Sequence, residues 1–252
     1  MDLDGIHVVV TGGASGLGEA SARHLAAHGA AISVLDRDTA RGEAVAAAVG
    51  GRFHPVDVTS PDAGAAVAAA AEALGPIRGR VSCAGIGTAG RIVGRDGPMP
   101  LEAFARVVEV NLVGTFNMMR LVAAHMTRAA PLAEGERGVI VNTASVAAFD
   151  GQIGQAAYAA SKGGIVSLAL PAAREFARFG IRVNTIAPGV FVTPLLGELP
   201  DSVREEIGAS IPFPPRLGRP DEFARTVRYI FETPYLNAEV IRLDGGVRLP
   251  PR

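Results

Sequence analysis

Short runs of apolar residues alternate along the chain with longer stretches that have the composition of helices. The short runs are apolar at nearly every position rather than at every second one, which is typical of strands buried on both faces of a sheet. Strands that alternate with helices are usually parallel, because a helix provides the crossover from one strand to the next. The pattern predicts strands over residues 6–10, 31–35, 52–56, 80–83, 138–143, 181–186 and 239–243, and helices over 16–28, 39–49, 62–74, 100–127, 156–179 and 221–231.

These elements predict one doubly wound α/β domain over residues 1–252, with helices on both faces of a parallel sheet. We find no internal repeat of fixed period and no low-complexity linker that would separate a second domain. Pro171 is expected to bend or end the helix in which it lies, because proline cannot donate the backbone hydrogen bond there. The Pro-rich segment 190–218 is the only insertion-like stretch, and we expect it to be irregular.

Composition narrows the classes of function. The chain carries 24 Lys+Arg against 25 Asp+Glu, a net charge of -1, which argues against a nucleic-acid binder that works through bulk charge. The 48% apolar content suits a large core and excludes intrinsic disorder. The single cysteine, Cys83, excludes a disulfide framework and a thiolate zinc cluster. Because the N-terminus is acidic and no long apolar run is uninterrupted, we expect no signal peptide, no membrane span and a cytoplasmic location.

A glycine-rich turn follows the first predicted strand. It reads T-G-G-A-S-G-L-G, in which Gly12, Gly16 and Gly18 have the spacing G-x-x-x-G-x-G. Glycines at such a turn let the backbone approach a pyrophosphate at the helix N-terminus, so the turn predicts a dinucleotide site. Asp36 closes the second strand, where a carboxylate accepts hydrogen bonds from a ribose 2′-OH and repels a 2′-phosphate. This favours NAD over NADP, although the adjacent Arg37 could serve a phosphate and Asp36 could simply cap a helix.

Four polar residues predict the chemistry. Ser145 ends the fifth strand, and Tyr158 and Lys162 follow it four residues apart, on one face of the next helix. Lys162 is the only lysine in a chain with 23 arginines. An ammonium about 4–5 Å from a phenol is worth roughly 4 kcal/mol, which would bring the tyrosine pKa close to neutrality and let it exchange a proton with an alcohol. Ser145 can orient the same substrate oxygen, and Asn111 lies in an apolar helix, where a buried amide needs partners.

Together, T-G-x-x-x-G-x-G, Asn111, Ser145 and the Y-x-x-x-K of Tyr158 and Lys162 resemble the short-chain dehydrogenase/reductase family over essentially the whole chain. The resemblance implies a Rossmann fold with seven parallel strands in the order 3-2-1-4-5-6-7. It implies that Tyr158 is the acid/base, that Ser145 polarises the carbonyl or alcohol, and that Lys162 lowers the tyrosine pKa and binds the nicotinamide ribose. Asn111 would hold a water molecule in a proton relay.

The same resemblance implies cofactor contacts at the carboxyl ends of the strands, the edge at which open α/β sheets bind ligands. Asp57 and Val58 match the family's adenine-contacting pair, and Pro188, Gly189 and Thr193 match the segment that contacts the nicotinamide. The fourth strand ends in S-C-A-G, where many members have N-N-A-G. The cofactor-binding candidates are Gly12, Ser15, Gly16, Leu17, Gly18, Asp36, Asp57, Val58, Cys83, Ala84, Gly85, Tyr158, Lys162, Pro188, Gly189, Val190 and Thr193.

Three stretches, 142–166, 211–220 and 236–248, are similar to the members of this family that interconvert 3-hydroxyacyl-CoA and 3-ketoacyl-CoA with NAD. That similarity implies the same reaction and a homotetramer, whereas residues 91–100 differ from those members. The irregular segment after Gly189 suits an acyl substrate, and ordinary packing of a loop is the alternative. The substrate-binding candidates are Gln155, which could bond the carbonyl, and the apolar residues Phe191, Leu195, Leu196, Leu199 and Phe213.

Other functions stay open at this point. A steroid or other secondary-alcohol dehydrogenase would use the same four residues, and an NADPH-linked 3-oxoacyl carrier-protein reductase is disfavoured by Asp36. A sensor or scaffold that binds NAD without turnover would be expected to lack Tyr158 or Lys162, and both are present. His24 and His28 lie four residues apart on the first helix but lack the intervening glutamate of H-E-x-x-H, so we expect a solvated face and no metal site.

Overall fold

The computed structural model describes residues 1–87, 89–196 and 200–251. In this part of the chain the strands are β1 (His7–Thr11), β2 (Ala31–Asp36), β3 (Arg52–Pro55), β4 (Ile77–Ser82), β5 (Val93–Gly94), β6 (Gly97–Pro98), β7 (Gly138–Thr143), β8 (Ile181–Pro188) and β9 (Val240–Leu243). Seven of them form one parallel sheet in the order β3-β2-β1-β4-β7-β8-β9. The order implied by the resemblance is confirmed, because only the small antiparallel hairpin β5–β6 shifts the numbering.

Helices cover both faces of the sheet, as the alternating pattern predicts. They are α1 (Gly16–Ala26), α2 (Thr39–Ala48), α3 (Ala63–Leu74), α4 (Leu101–Val108), α5 (Gly114–Met126), α6 (Ala156–Ala177), α7 (Asp201–Ala209) and α8 (Pro220–Glu232). One apolar core lies between the sheet and α1, α2 and α8 and contains Leu25 and Phe223. A second core lies between the opposite face and α3, α5 and α6 and contains Val67 and Met118.

The central strands are buried on both faces. Every residue of β1 and β8 is buried, although β8 carries the polar residues Arg182, Asn184 and Thr185. Strand β4 begins at Ile77, three residues earlier than predicted, because Arg78 and Gly79 separate Ile77 from the predicted run. Arg80 is fully buried, and its guanidinium donates to the Asn142 Oδ1 atom at 3.0 Å and to the Thr115 carbonyl oxygen at 3.1 Å.

The predicted helix over 100–127 is interrupted. Helix α4 passes into a wider π-helical turn, Glu109–Val113, and the chain then continues as α5. Such a turn inserts one extra residue into the helical ladder and commonly occurs at functional sites. Asn111 lies in the middle of it. The whole stretch Leu101–Met126 is apolar and long enough to cross a membrane by length and composition, but 56% of its most apolar window is buried inside the fold, where α5 packs on β4 and β7.

Two further expectations concern prolines. Helix α6 continues through Pro171 to Ala177, so Pro171 does not end the helix, and this is tolerated because Ser167, whose carbonyl loses its helical partner, is exposed to water. The segment 190–218 is not irregular throughout, since it contains α7. The prolines that suggested irregularity flank this helix: Pro200 immediately precedes it, and Pro212 follows it.

Candidate active site

A cavity of about 1050 Å³ opens at the carboxyl edge of the sheet. Its wall is built from the segments that follow β1, β2, β3, β4, β7 and β8. The strand order reverses between β1 and β4, and ligands of open α/β sheets bind at such a point. The cofactor and catalytic candidates that line this cavity are Gly12, Ser15, Gly16, Leu17, Gly18, Asp36, Asp57, Val58, Cys83, Ala84, Gly85, Ser145, Tyr158, Lys162, Pro188, Gly189, Val190 and Thr193. Asn111 is fully buried just behind the wall.

The glycine-rich turn is shaped by close backbone approaches. A Cβ atom on Gly12 would lie 2.4 Å from the Ala84 backbone nitrogen, and one on Gly18 would lie 2.1 Å from the Gly12 carbonyl oxygen. Gly16 begins α1 with a φ of +55°, a conformation that favours glycine. Ser15 precedes the helix without a side-chain cap, so the first backbone N–H groups of α1 are left to face the cavity. This arrangement suits a phosphate group.

Asp36 connects the turn to the second strand. Its carboxylate accepts hydrogen bonds from the Ala14 N–H and the Asp38 N–H, each at 3.0 Å. Arg37 beside it is directed to Asp57, with its Nε atom 3.7 Å from a carboxylate oxygen. Hydrogen bonds from the side chain and backbone of Thr59 hold the pKa of Asp57 below its usual value, so Asp57 stays ionised and offsets the charge of Arg37.

Asn111 meets the sequence expectation that a buried amide finds partners. Its Oδ1 atom accepts from the Ile86 N–H at 2.8 Å, and its Nδ2 group donates to the Ile86 carbonyl at 3.0 Å and to the Ser161 Oγ atom at 3.1 Å. The Ser161 hydroxyl donates in turn to the Tyr158 carbonyl at 2.7 Å. Asn111 therefore fixes the loop after β4 to the turn of α6 that carries Tyr158.

Lys162 is buried beside this network. Its ammonium donates to the Thr143 carbonyl oxygen, at the end of β7, at 2.9 Å and lies 5.7 Å from the centre of the Tyr158 ring. Burial lowers the pKa of Lys162 to about 8. Gly85 leaves space for Asn111 and Lys162. A Cβ atom on Gly85 would lie 3.1 Å from the Asn111 Oδ1 atom and 3.7 Å from the Lys162 Nζ atom.

The prediction that the pKa of Tyr158 lies close to neutrality is wrong for the protein alone. Burial raises the pKa of Tyr158, and a hydrogen bond with Ser145 only partly counteracts this effect. The phenolate loses hydration in the wall of the cavity, and the spacing of Tyr158 and Lys162 along the helix does not reveal this loss. Ser145 is also buried, and its Oγ atom accepts from the Ala147 N–H at 3.2 Å, which holds the hydroxyl beside the phenol.

Because Lys162 is the only lysine, its pKa can be read by amine acylation. We expect a small amine-acylating reagent to modify Lys162 with a rate that rises with pH and levels off above about 8, the value to which burial lowers its pKa. An ordinary lysine would level off only near about 10.4. Peptide mass spectrometry separates this product from reaction at the Met1 amine, which is buried against the Phe231 carbonyl and Glu136. A midpoint near that of an ordinary lysine would contradict the expectation.

Cys83 lies in the wall of the cavity. Its sulfur is 3.7 Å from the Thr143 Oγ1 atom, and burial raises the pKa of the thiol to about 11, so the reactive thiolate is disfavoured at neutral pH. The described part of the chain contains no group of three or more His, Cys, Asp or Glu side chains that could hold a metal ion. The rings of His24, on α1, and His28, in the turn that follows this helix, lie 4.5 Å apart.

The substrate candidates have mixed outcomes. Gln155, Phe191 and Leu196 line the cavity. Phe213 does not: its side chain is 79% exposed on the outer surface, and its backbone N–H bonds the Gly245 carbonyl instead. Its apolar character made it a substrate-binding candidate, but the chain turns it outward after α7. Leu199 and the side chain of Leu195 lie outside the described part of the chain.

Sequence reasoning missed the residues that close the far end of the cavity. Position along the chain gives no signal for them, because they come from the loop before α6, from α7 and its C-terminal end, and from the segment after β9, and only tertiary folding brings these together. A weak signal was present in the apolar spacing of α7, which was not recognised as a helix. The missed lining residues are Gln152, Glu206, Ile207, Ser210, Leu249 and Pro250.

A family comparison agrees with this architecture. A model of the short chain dehydrogenase family matches residues 6–204. The chain therefore belongs to the short-chain dehydrogenase family, and it is an oxidoreductase with a small-molecule substrate and a nicotinamide cofactor. The site fits that cofactor, because the uncapped N-terminus of α1 suits its pyrophosphate and Gly12 and Gly18 leave no room for side chains under the turn.

Three relatives show which members of the family the chain is similar to. The chain is 52% identical to the 3-hydroxyacyl-CoA dehydrogenase type-2 of Rattus norvegicus over 254 residues, covering 99% of this chain and 97% of that protein. The protein of the same name from Homo sapiens is 52% identical over the same coverage. The crystal structure of 3-hydroxyacyl-CoA dehydrogenase type-2 from Mycobacterium avium matches with a TM-score of 0.93, 44% identity and coverage of 98% of both chains.

Proposed function

We propose that this protein is an NAD-dependent 3-hydroxyacyl-CoA dehydrogenase. The observation that carries the proposal is the 52% identity, over nearly the full length, to relatives that bear that name. The cavity supports it, because Ser145, Tyr158 and Lys162 converge there on one space. When bound, a nicotinamide cofactor would supply the acceptor for the hydride on the carbon that carries the substrate hydroxyl.

The side chains of the chain itself would handle the proton. In the direction of oxidation, the Tyr158 phenolate oxygen accepts the proton of the substrate hydroxyl, and the same phenol returns it during reduction. Ser145, which is hydrogen bonded to the phenol, donates to the substrate oxygen and orients it. Lys162 is fixed by the Thr143 carbonyl, and below its pKa of about 8 it carries a positive charge near the ring, which favours the phenolate. Asn111 holds the backbone of α6 and the loop after β4 in register; its water-holding role stays a proposal.

NAD is the cofactor that Asp36 supports. A carboxylate at the end of β2 repels a 2′-phosphate, and like charges placed together cost several kcal/mol. Arg37 gives little compensation, because its side chain is 65% exposed and pairs with the ionised Asp57. The remaining cofactor candidates would position the adenine and nicotinamide ends along the same edge of the sheet.

A steroid or other secondary-alcohol dehydrogenase is the second candidate. One observation favours it: the charged residues that line the cavity in the described part of the chain are Asp36, Arg37, Asp57, Lys162 and Glu206, so the substrate end has no arginine to receive the phosphates of coenzyme A. That end instead carries the apolar residues Leu196, Ile207 and Leu249.

Assembly and location are further proposals. We propose a homotetramer, and the exposure of Val113 and Phe116 around the start of α5, and of Leu170 on α6, supports it, because a second copy would bury them. Light scattering of the purified protein measures the assembly. We propose a cytoplasmic location, which the single free thiol of Cys83 supports, because such a chain needs no oxidising compartment; fractionation of cells measures it.

The absorbance of NADH measures the proposed activity. We expect purified protein to reduce NAD with a short 3-hydroxyacyl-CoA at alkaline pH, at least about 100-fold more efficiently than NADP, because Asp36 disfavours the 2′-phosphate. Parallel assays with steroids and simple secondary alcohols test the second candidate. Turnover of these alcohols without turnover of the thioester would overturn the substrate assignment, and an equal rate with NADP would overturn the role of Asp36.

A further inference from the structure

The residues after β9 turn back over the cavity, and we call residues 247–251 the C-terminal tail. Gly245 and Gly246 make the turn with φ values of +63° and +84°, and the Gly246 N–H donates to the Asp244 carboxylate at 2.9 Å. Val247 is then buried, and Leu249 and Pro250 line the cavity that Ser145 and Tyr158 also line. The tail is therefore part of the wall of the site.

The loop before α6 holds the end of the tail. The Ile153 N–H donates to the Pro251 carbonyl at 3.0 Å, and the Gln152 Nε2 group donates to the Pro250 carbonyl at 3.1 Å. Gln152 is also bonded to Gln155 twice, through its N–H to Oε1 at 3.1 Å and through its Oε1 atom from Nε2 at 3.3 Å. A continuous polar network thus connects the tail to Gln155, three residues before Tyr158.

Arg242 holds the other end. Its guanidinium bonds the Asp150 carboxylate at 2.5 Å, the Asp244 carboxylate at 2.8 Å and the Val247 carbonyl at 3.1 Å, and it lies 5.2 Å from the centre of the Phe149 ring. The Asp244 side chain is only 8% exposed, so the ion pair between Arg242 and Asp244 is shielded from solvent more than a surface ion pair would be. Both ends of the tail are therefore fixed to the segment between β7 and α6.

The tail faces the substrate half of the cavity. Asp36 and Asp57 follow β2 and β3, whereas the tail follows β9, at the opposite edge of the sheet. Leu249 packs with Val190, Leu196 and Ile207 around a small cluster of buried apolar residues, Ile211, Leu217 and Val247. A group that enters this half meets an apolar wall, of which Leu249 is one side.

We propose that the C-terminal tail, through Leu249 and Pro250, determines which acyl chains the enzyme accepts. The proposal rests on the proposed function, because it concerns the acyl part of that substrate. Two consecutive prolines, Pro250 and Pro251, suit such a wall, since their fixed φ angles leave little freedom to be lost. A substrate tail longer than the apolar half would have to displace Leu249 and break the bonds to Gln152 and Ile153.

The test compares substrates of different length in Leu249→Ala. One methylene in an apolar pocket changes discrimination by about 10- to 200-fold, so the ratio of kcat/KM for a long over a short straight-chain 3-hydroxyacyl-CoA is expected to rise at least about tenfold. The KM for NAD should not change, because Leu249 lies away from Asp36. Leu132→Ala is the matched control: Leu132 is 41% exposed in another loop and does not line the cavity, so the ratio should stay as in the wild type.

A second measurement is independent of activity. In Gln152→Ala the tail loses one of its two bonds to the loop, so the Ile153 amide, which donates to the Pro251 carbonyl, should exchange its hydrogen at least about tenfold faster than in the wild type. Unchanged exchange would show that the network does not hold the tail.

The outcomes separate the two proposals. If the wild type turns over the short thioester and Leu249→Ala changes the ratio less than about twofold, the tail proposal is overturned and the proposed function stands. If the wild type turns over only secondary alcohols, the proposed function fails, and the same ratio is then measured with a long and a short alcohol. If neither series is turned over, both proposals fall.

Discussion

Tyr158→Phe is expected to lower kcat/KM for alcohol oxidation by about 10²- to 10⁴-fold, the usual contribution of a positioned acid or base. The change removes one oxygen atom and leaves the ring in place beneath the Lys162 ammonium. We therefore expect the affinity for NADH, measured by fluorescence titration, to stay within about twofold of the wild type. Tyr229→Phe is the matched control, because Tyr229 is 56% exposed on α8 and does not line the cavity.

The dependence of the oxidation rate on pH is a second test of Tyr158 as the acid/base. Oxidation needs the phenolate, and burial raises the pKa of Tyr158, so the wild-type rate should increase with pH through the alkaline range. Ser145→Ala removes the hydrogen bond that lowers this pKa, so its profile should move to higher pH. The residual activity of Tyr158→Phe should lack this limb. Undiminished turnover in Tyr158→Phe would refute the acid/base assignment, and a wild type that binds NADH without any turnover would support the sensor alternative.

The sheet could be predicted from the sequence because burial on both faces leaves a direct signature. Val8, Val9 and Val10 form an apolar run in β1, and every residue of this strand is buried. The glycine spacing was equally direct, since Gly12 and Gly18 leave no space for a Cβ atom. The converging positions of Ser145 and Tyr158 follow from the carboxyl edge of β7 and the start of the next helix. Each of these inferences depends on local sequence alone.

Features that depend on distant partners could not be predicted. Arg80 is the first residue of the predicted strand 80–83, and it is fully buried because Thr115 and Asn142, far away in sequence, accept its hydrogen bonds. The same holds for the π-helical turn around Asn111, which needs Ile86 and Ser161 as partners. No periodicity encodes such pairs, because the partners come together only when the sheet has formed.

The prediction of the Tyr158 pKa was wrong for a related reason. Spacing in a helix predicts which charges are neighbours, and Lys162 does lie beside the ring. It does not predict how much water the fold removes from the phenol or from the ammonium, and burial is the largest cause of the shift for both groups. Electrostatics at this site therefore depends on tertiary packing, which sequence distance does not measure.

Gly18→Ala is expected to destabilise the protein and to abolish most cofactor binding, whereas the same substitution at Gly163 should be stabilising. Both glycines lie in helices, but a Cβ atom on Gly18 would lie 2.1 Å from the Gly12 carbonyl oxygen, and one on Gly163 would meet no atom within 4 Å. The carbonyl is backbone and cannot rotate away, so α1 and the turn must separate. We expect a loss of about 1–3 kcal/mol in the free energy of unfolding.

The displaced turn also loses its fit to the pyrophosphate. Misplacement by about 1 Å commonly costs about 100-fold, so the Kd for NADH should increase by at least that factor in Gly18→Ala. Gly163→Ala should keep the wild-type Kd and gain about 0.4–1 kcal/mol, since alanine reduces the freedom of the unfolded chain. Denaturant unfolding and NADH titration measure both quantities. If the two variants behaved alike, the close approach of Gly18 to Gly12 would not be what shapes the turn, and the anion site at the start of α1 would need another explanation.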